Sequence, residues 1–212
     1  MTNSPASPPA DSPVTIRGYR PTDLAALHEI CIRTGHLGGD ASDHFKEPAI
    51  LPAIFAEPYA ELEPELVFVA DDGERVLGYI VGTADSTRFF AEFRERWLPT
   101  VAERFPAPVG EPADADEHLR HLLHHAELML VPEIAAEYPA HLHIDLLPPG
   151  QGRGLGRRLM TAFLDALRER GVPGVHLGMN PANTRARAFY DRLGFVPLRQ
   201  IDPTHHLGMR LG

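Results

Sequence analysis

The sequence of 212 residues has one cysteine, Cys31, one tryptophan, Trp97, and one lysine, Lys46. A lone cysteine forms neither an internal disulfide nor the four-ligand thiolate cage of a structural zinc site, so a disulfide scaffold and a Cys-based metal domain are excluded. No stretch approaches the roughly 18 uninterrupted apolar residues of a membrane-spanning helix. The N-terminus lacks the basic start and apolar core of a signal peptide, so a soluble, cytoplasmic protein with no membrane partner is expected. Positive charge is also short: 20 Lys+Arg against 29 Asp+Glu give a net charge of −9, which argues against a general nucleic-acid binder. What remains is an apolar content of 43% in a length that suits one domain carrying extra elements. Residues 1–13 hold Pro5, Pro8, Pro9 and Pro13 and too little apolar material to offset ordering entropy. A disordered tail followed by a single domain over 14–212 is the expectation.

The charge is unevenly spread. Residues 150–200 carry nine arginines against three acidic residues, a cationic segment that suits a small polyanionic ligand. Residues 85–137 carry eleven acidic residues against five arginines, which suits a cationic partner. Periodicity predicts strands near 14–19, 66–70, 76–84, 141–147, 175–179 and 205–211. Helices are predicted near 23–34, 87–104, 113–130, 155–170 and 183–193, with Asp72-Gly73 as a hairpin turn between the second and third strands. The order is that of a mixed α/β fold, with residues 86–138 as a helical insertion between the third and fourth strands.

Between the fourth strand and the next helix runs Leu146-Leu147-Pro148-Pro149-Gly150-Gln151-Gly152-Arg153-Gly154-Leu155-Gly156-Arg157. Glycines let successive backbone N–H groups turn inward, and the helix that follows adds the positive end of its dipole, so pyrophosphate is a natural guest. The glycine spacing fits neither the dinucleotide fingerprint nor a P-loop, since no Gly-x-Gly-x-x-Gly and no Gly-Lys-Ser/Thr is present. It does fit Gln-x-x-Gly-x-Gly at Gln151, Gly154 and Gly156. Downstream stands Asn180-x-x-Asn183-x-x-Ala186-x-x-Phe189-Tyr190-x-x-x-Gly194-Phe195. In these two motifs the chain resembles the GNAT superfamily of acyl-CoA-dependent N-acetyltransferases. The string as a whole is similar to bacterial relatives of the acetyltransferase-like domain of O-GlcNAcase.

That resemblance implies a central, mostly antiparallel sheet splayed at its fourth and fifth strands and flanked by helices. It implies acetyl-CoA as co-substrate, an amine-bearing acceptor, and direct attack in a ternary complex. Leu146 and Leu147 would lie along the pantetheine arm. Gln151, Gly152, Arg153, Gly154, Leu155, Gly156 and Arg157 would hold the phosphates. Asn183 is a contact to acyl-CoA by resemblance or a helix cap by residue type, and it can be both. Tyr190 occupies the position of the acid that protonates the departing thiolate. A phenol near ~10 facing a thiol near ~8.5 makes that transfer uphill by only about 2 kcal/mol; the other reading of the Phe189-Tyr190 pair is packing, which the surrounding Asn183 and Gly194-Phe195 pattern weighs against.

An amine near ~10.4 is almost wholly protonated at neutral pH, so a proton acceptor is needed. His141, His143 and Asp145 alternate on the fourth strand and share one face, either as a proton relay to the acceptor or as an ordinary half-exposed polar face. His143 and Asp145 are the catalytic candidates. His141 and Tyr138, at the exit of the insertion, are candidates to touch the acceptor. His121 and His125 have helical metal-ligand spacing but no matching third ligand, so no metal is expected. Cys31 falls on an apolar helical stripe and reads as a buried thiol rather than an acyl carrier. Phe89, Phe90, Phe93 and Trp97 read as packing for the insertion or as a wall for the acceptor. The insertion itself either covers the acceptor side, or shields an edge, or makes a homodimer interface. The alternative to an enzyme is a non-catalytic module of the same fold serving regulation or recognition.

Overall fold

The computed structural model describes residues 13–201 and 203–212. The tail expected over 1–13 lies, apart from Pro13, outside the described residues. Seven strands form one sheet: β1 (Thr15–Gly18), β2 (Phe68–Asp71), β3 (Val76–Thr83), β4 (Ala140–Leu146), β5 (Gly174–Met179), β6 (Val196–Ile201) and β7 (Thr204–Arg210). Their order is β1-β2-β3-β4-β5-β7-β6. Neighbours are antiparallel except β4 and β5, which are parallel and pair only at Ala140 with Val175 and at His141 with His176. Beyond those two pairs the strands diverge, β4 staying with β3 and β5 with β7. The sheet is therefore one surface with a wedge opened through its middle.

Both faces of the sheet are covered. On one face lies α8 (Leu155–Glu169), whose Leu155, Leu159, Phe163 and Leu167 are buried against Ile80, Leu142 and Val175, as their spacing of four requires. The other face carries α1 (Leu24–Thr34), α2 (Ile50–Phe55) and α3 (Glu57–Leu62), packed through Leu27, Ile30, Ile54 and Tyr59 onto Tyr79 and Val81 of β3. With cover on both sides, every residue of β3 is buried. This is why its sequence reads as a continuous apolar run rather than an alternating one. Among the described residues no helix is long and apolar enough to cross a membrane.

The segment joining β3 to β4 contains α4 (Ser86–Glu92), a π-helical turn over Phe93–Trp97, α5 (Leu98–Val101), α6 (Ala115–His124) and α7 (Pro132–Glu137). Asp85 caps α4 by accepting from Arg88 N–H at 3.0 Å, and Asp114 caps α6 by accepting from Glu117 N–H at 2.9 Å. Phe89, Phe90, Phe93 and Trp97 are all buried in the same core as α1–α3. The Trp97 indole N–H donates to the Ala53 carbonyl at 2.8 Å, tying the segment to α2. Of the two readings of these aromatics, packing is the one observed.

The last helix, α9 (Thr184–Leu193), precedes β6. β6 has no counterpart in the periodicity because its residues are nearly all exposed, Val196 at 52%, so it carries no apolar alternation. The six residues of α7 are likewise too short a run to set up a helical period.

Candidate active site

The wedge between β4 and β5 opens a groove of about 960 Å³. One wall is β4 from Leu142 to Leu146, the other is β5 at Gly178 to Asn180 with α9, and the rim opposite the sheet is the end of α1 and the loop after it. Because β4 has lost its partner on this side, its free backbone edge faces the groove.

At one end the chain turns from β4 into α8. Gly152 and Gly154 have φ of +73° and +74°, where a side chain would be strained, and nothing stands within 4 Å of where a Cβ would sit. The first backbone donor of α8 with an internal partner is Arg158 N–H, to Gly154 O at 3.2 Å. The N–H groups of Leu155, Gly156 and Arg157 precede it and have no intrahelical acceptor. Gly156 is small for another reason: a Cβ there would stand 3.2 Å from the ring of Phe189 on α9, and this close approach floors the groove. Arg157, Arg185 and Arg192 also line the groove. Unpaired N–H groups at a helix start, with guanidinium groups and open space beside them, are a set that could hold a polyanion such as a diphosphate.

The other predicted cradle residues divide. Leu146 and Leu155 line the groove, whereas Leu147 is buried and gives its N–H to Leu77 O at 2.9 Å, so it ends the sheet rather than facing a ligand. The Gln151 side chain donates to Leu146 O at 2.8 Å, fastening the end of β4 to the turn. Arg153 points back along the turn, toward Pro149 O at 3.4 Å, and is not among the lining residues. Asn183 lines the groove and also caps α9, accepting from Ala186 N–H at 3.0 Å. Both of its anticipated roles are compatible with that geometry.

The middle of the groove brings together the three catalytic candidates, with His143 and Asp145 on the β4 wall and Tyr190 facing them from α9. Tyr190 packs edgewise on Phe195 and is buried, yet its hydroxyl has no hydrogen-bond partner among the described residues. Burial, with the negative charge of Asp145 nearby, pushes its phenol above the usual range, which keeps it protonated. Burial raises the Asp145 carboxyl, opposed by hydrogen bonds from Tyr79 and Thr34, with the Tyr79 hydroxyl at 2.8 Å. Burial also pushes His143 down to about 4, so it is neutral at pH 7. Its Nε2 lies 3.1 Å from the Tyr59 hydroxyl and Phe55 meets its ring edgewise.

The shared face is only partly open: His143 and Asp145 are half-buried and line the groove, whereas His141 is buried. His141 and His143 meet the Tyr59 hydroxyl of α3, and Asp145 meets the Tyr79 hydroxyl of β3. His141 is buried between Tyr59 and Ser86 and does not line the groove, so it is not placed to touch an acceptor. Tyr138 is not either: its ring lies beneath the Arg210 guanidinium, 4.6 Å from centroid, beside Gly174 and Gly208 on the far edge of β5 and β7. No residue of 86–138 lines the groove. The insertion contributes to the site from behind β4 rather than as a cover over it. Tyr59, Tyr79, Thr34, Ser86 and Phe55 complete the wall and were not singled out from sequence, where each stands in an ordinary helical or strand context.

The residues lining the far end, Cys31, Thr34, Leu37, Leu51 and Phe55, form a largely apolar recess beside Asp145. Burial raises the Cys31 thiol far above its ordinary value, so it is held as the unreactive thiol.

A sequence model described as the acetyltransferase (GNAT) family matches residues 40–195. The chain belongs to that family, and the seven-stranded splayed sheet is its fold. A solved structure titled "Crystal structure of SsHAT" is 55% identical, with a TM-score of 0.91 over 94% of this chain and 98% of that one. Protein O-GlcNAcase of Rattus norvegicus is 25% identical over 93% of this chain and 22% of its own length. A mycothiol acetyltransferase of Beutenbergia cavernae is 47% identical over 68 residues, which is 32% of this chain and 22% of the relative. The chain spans about a fifth of the length of these curated relatives.

Proposed function

We propose that this protein transfers an acetyl group from acetyl-CoA to an amine by direct attack in a ternary complex. The observation that carries the reading is a groove that continues from a phosphate cradle, along a free strand edge, to a phenol on one wall facing an imidazole and a carboxylate on the other. Membership of an acetyltransferase family supports the donor, and the mycothiol acetyltransferase similarity supports transfer as the activity.

The cradle fits a diphosphate because Gly152, Gly154 and the start of α8 offer N–H groups with no side chain in the way. When bound, acetyl-CoA supplies an activated thioester. The β4 edge would hold the pantetheine arm by extending the sheet. Asp145, whose carboxyl is raised by burial against hydrogen bonds from Tyr79 and Thr34, would accept a hydrogen bond from the acceptor nitrogen in the recess. His143, held neutral, would take the amine proton as the nitrogen becomes acidic on attack, since an imidazole pushed down to about 4 does not trap a proton beforehand. Tyr190 would return a proton to the sulfur. Its raised pKa keeps that proton in place but adds to the uphill cost, which the polar adduct must offset as it fills the groove. A covalent acyl-cysteine route is disfavoured by the buried, fully protonated Cys31.

The test is a screen of amine acceptors, including amino sugars, polyamines and peptide amines, with CoA release as readout. At least one class is expected to release CoA in proportion to acceptor. If acetyl-CoA binds but none does, the fold serves recognition rather than transfer.

A further inference from the structure

Behind β4 the side chains of four residues, contributed by α3, α4 and β4, form one hydrogen-bonded chain. Ser86 Oγ lies 2.6 Å from the carbonyl oxygen of Pro139 and 2.8 Å from His141 Nδ1. His141 Nε2 lies 2.7 Å from the Tyr59 hydroxyl, and that hydroxyl lies 3.1 Å from His143 Nε2. His143 is the one member that lines the groove.

A carbonyl can only accept, so this chain has a direction. The Ser86 hydroxyl proton must lie toward Pro139, or two oxygens would stand 2.6 Å apart with no hydrogen between them. The Ser86 oxygen is then an acceptor and His141 carries its proton on Nδ1. His141 is buried and neutral, so its Nε2 is a lone pair that receives the Tyr59 hydroxyl proton. The Tyr59 oxygen is left to accept from His143, which therefore carries its proton on Nε2. His143 is neutral too, so Nδ1 holds the free lone pair, and no described residue bonds to it.

We propose that Ser86, His141 and Tyr59 are positioning residues that fix His143 in its Nε2–H tautomer and so present Nδ1 as a proton acceptor to the groove. This rests on the function proposed above for His143 and adds how the fold prepares it. The chain ends on a carbonyl that cannot carry a proton away, so it polarises and orients the imidazole rather than conducting. The insertion thereby acts on the site without entering it, because Ser86, its first residue, sets the direction of the chain from outside the groove.

Imidazole nitrogen NMR on 15N-histidine-labelled protein tests this without any acceptor, with His143 assigned by the signals lost in His143→Gln. In the wild-type protein at neutral pH, His143 is expected to show a protonated Nε2 and an unprotonated Nδ1. The opposite pattern, or a mixture, overturns the proposal with no variant needed. In Ser86→Ala the buried Nδ1–H of His141 loses its acceptor, so the chain is expected to reverse, with a proton appearing on His143 Nδ1. Ser86→Thr, which keeps the hydroxyl, is expected to restore the wild-type pattern. A Ser86→Ala spectrum identical to wild type would overturn the role of Ser86. Because the readout is a tautomer, it is separate from catalysis: the expected pattern in a protein that transfers no acetyl group would leave this inference standing and the proposed function refuted.

Discussion

The two parts of the groove are built in opposite ways. The cradle is mostly local: a dozen consecutive residues make a turn and a helix start whose backbone N–H groups face open space, and only the arginines of α9 come from elsewhere. The wall behind β4 is assembled from residues 34, 59, 79, 86, 141, 143 and 145, and its chemistry is side chains held neutral or shifted by burial. The lesson is that an anion site can be carried by a short segment, whereas a tuned proton acceptor needs several distant elements to arrive together. Damage to one should leave the other readable.

The steepest loss should come from the facing wall. Tyr190→Phe removes a phenolic proton and keeps the ring, so turnover with a responsive acceptor should fall about 10²- to 10⁴-fold while acetyl-CoA affinity changes little. Steady-state kinetics beside calorimetry separates the two quantities, and equal turnover would reduce Tyr190 to a packing residue. Next comes His143→Gln, expected to lower kcat/KM by about 10²-fold, at the low end of general-base effects because Asp145 remains. The pH profile is the sharper readout. His143 accepts a proton only when neutral, so the wild-type rate, corrected for the fraction of neutral amine, should rise as pH rises through about 4 and then level off. The variant should lack that limb, and a wild-type limb near the ordinary ~6.5 would mean that His143 is not held as described.

A smaller effect should appear in stability. In the unfolded chain a histidine titrates near ~6.5, whereas folded His143 sits at about 4, so below that upper value the unfolded state binds more protons. The stability contributed by keeping it neutral is fully present above about 6.5 and is lost as pH falls toward 4. By pH 5 the loss is about 2 kcal/mol at most. Buried His141 and His176, also held low, act in the same direction. Urea unfolding at pH 7 and pH 5 should therefore show a smaller acid loss for His143→Gln than for wild type, and an equal loss would place His143 in a more solvated setting.

The same contrast explains what was legible in the sequence. Gln151, Gly154 and Gly156 announce the cradle because the residues that make it are neighbours, and the alternation of His141, His143 and Asp145 announces a shared face because a strand has a period of two. Which layer that face meets depends on where α3 and α4 pack, and Tyr59 and Ser86 carry no local signal of their eventual contact with His141. Tyr138 and His141 suggested acceptor contacts because they stand where the insertion returns to the sheet. The insertion instead buries Phe89, Phe93 and Trp97 in the core, leaving Tyr138 at the far edge and His141 behind the wall. The lid reading failed on the same ground, since chain connectivity does not say which side of a strand an insertion covers. β6 escaped because an exposed strand has no apolar pattern to show.

If the groove holds acetyl-CoA by its phosphates at the Gly152–Gly156 turn, as proposed above, calorimetric titration of the wild-type protein and of folded Gly154→Asp with acetyl-CoA will show it. The aspartate would strain a residue at φ of +74° and set a negative charge where the phosphates must sit. The wild type is expected to bind at one site per chain, more weakly as salt is added, and the variant at least about tenfold more weakly than the wild type. An unchanged affinity in the variant, or no binding by the wild type, would contradict that proposal.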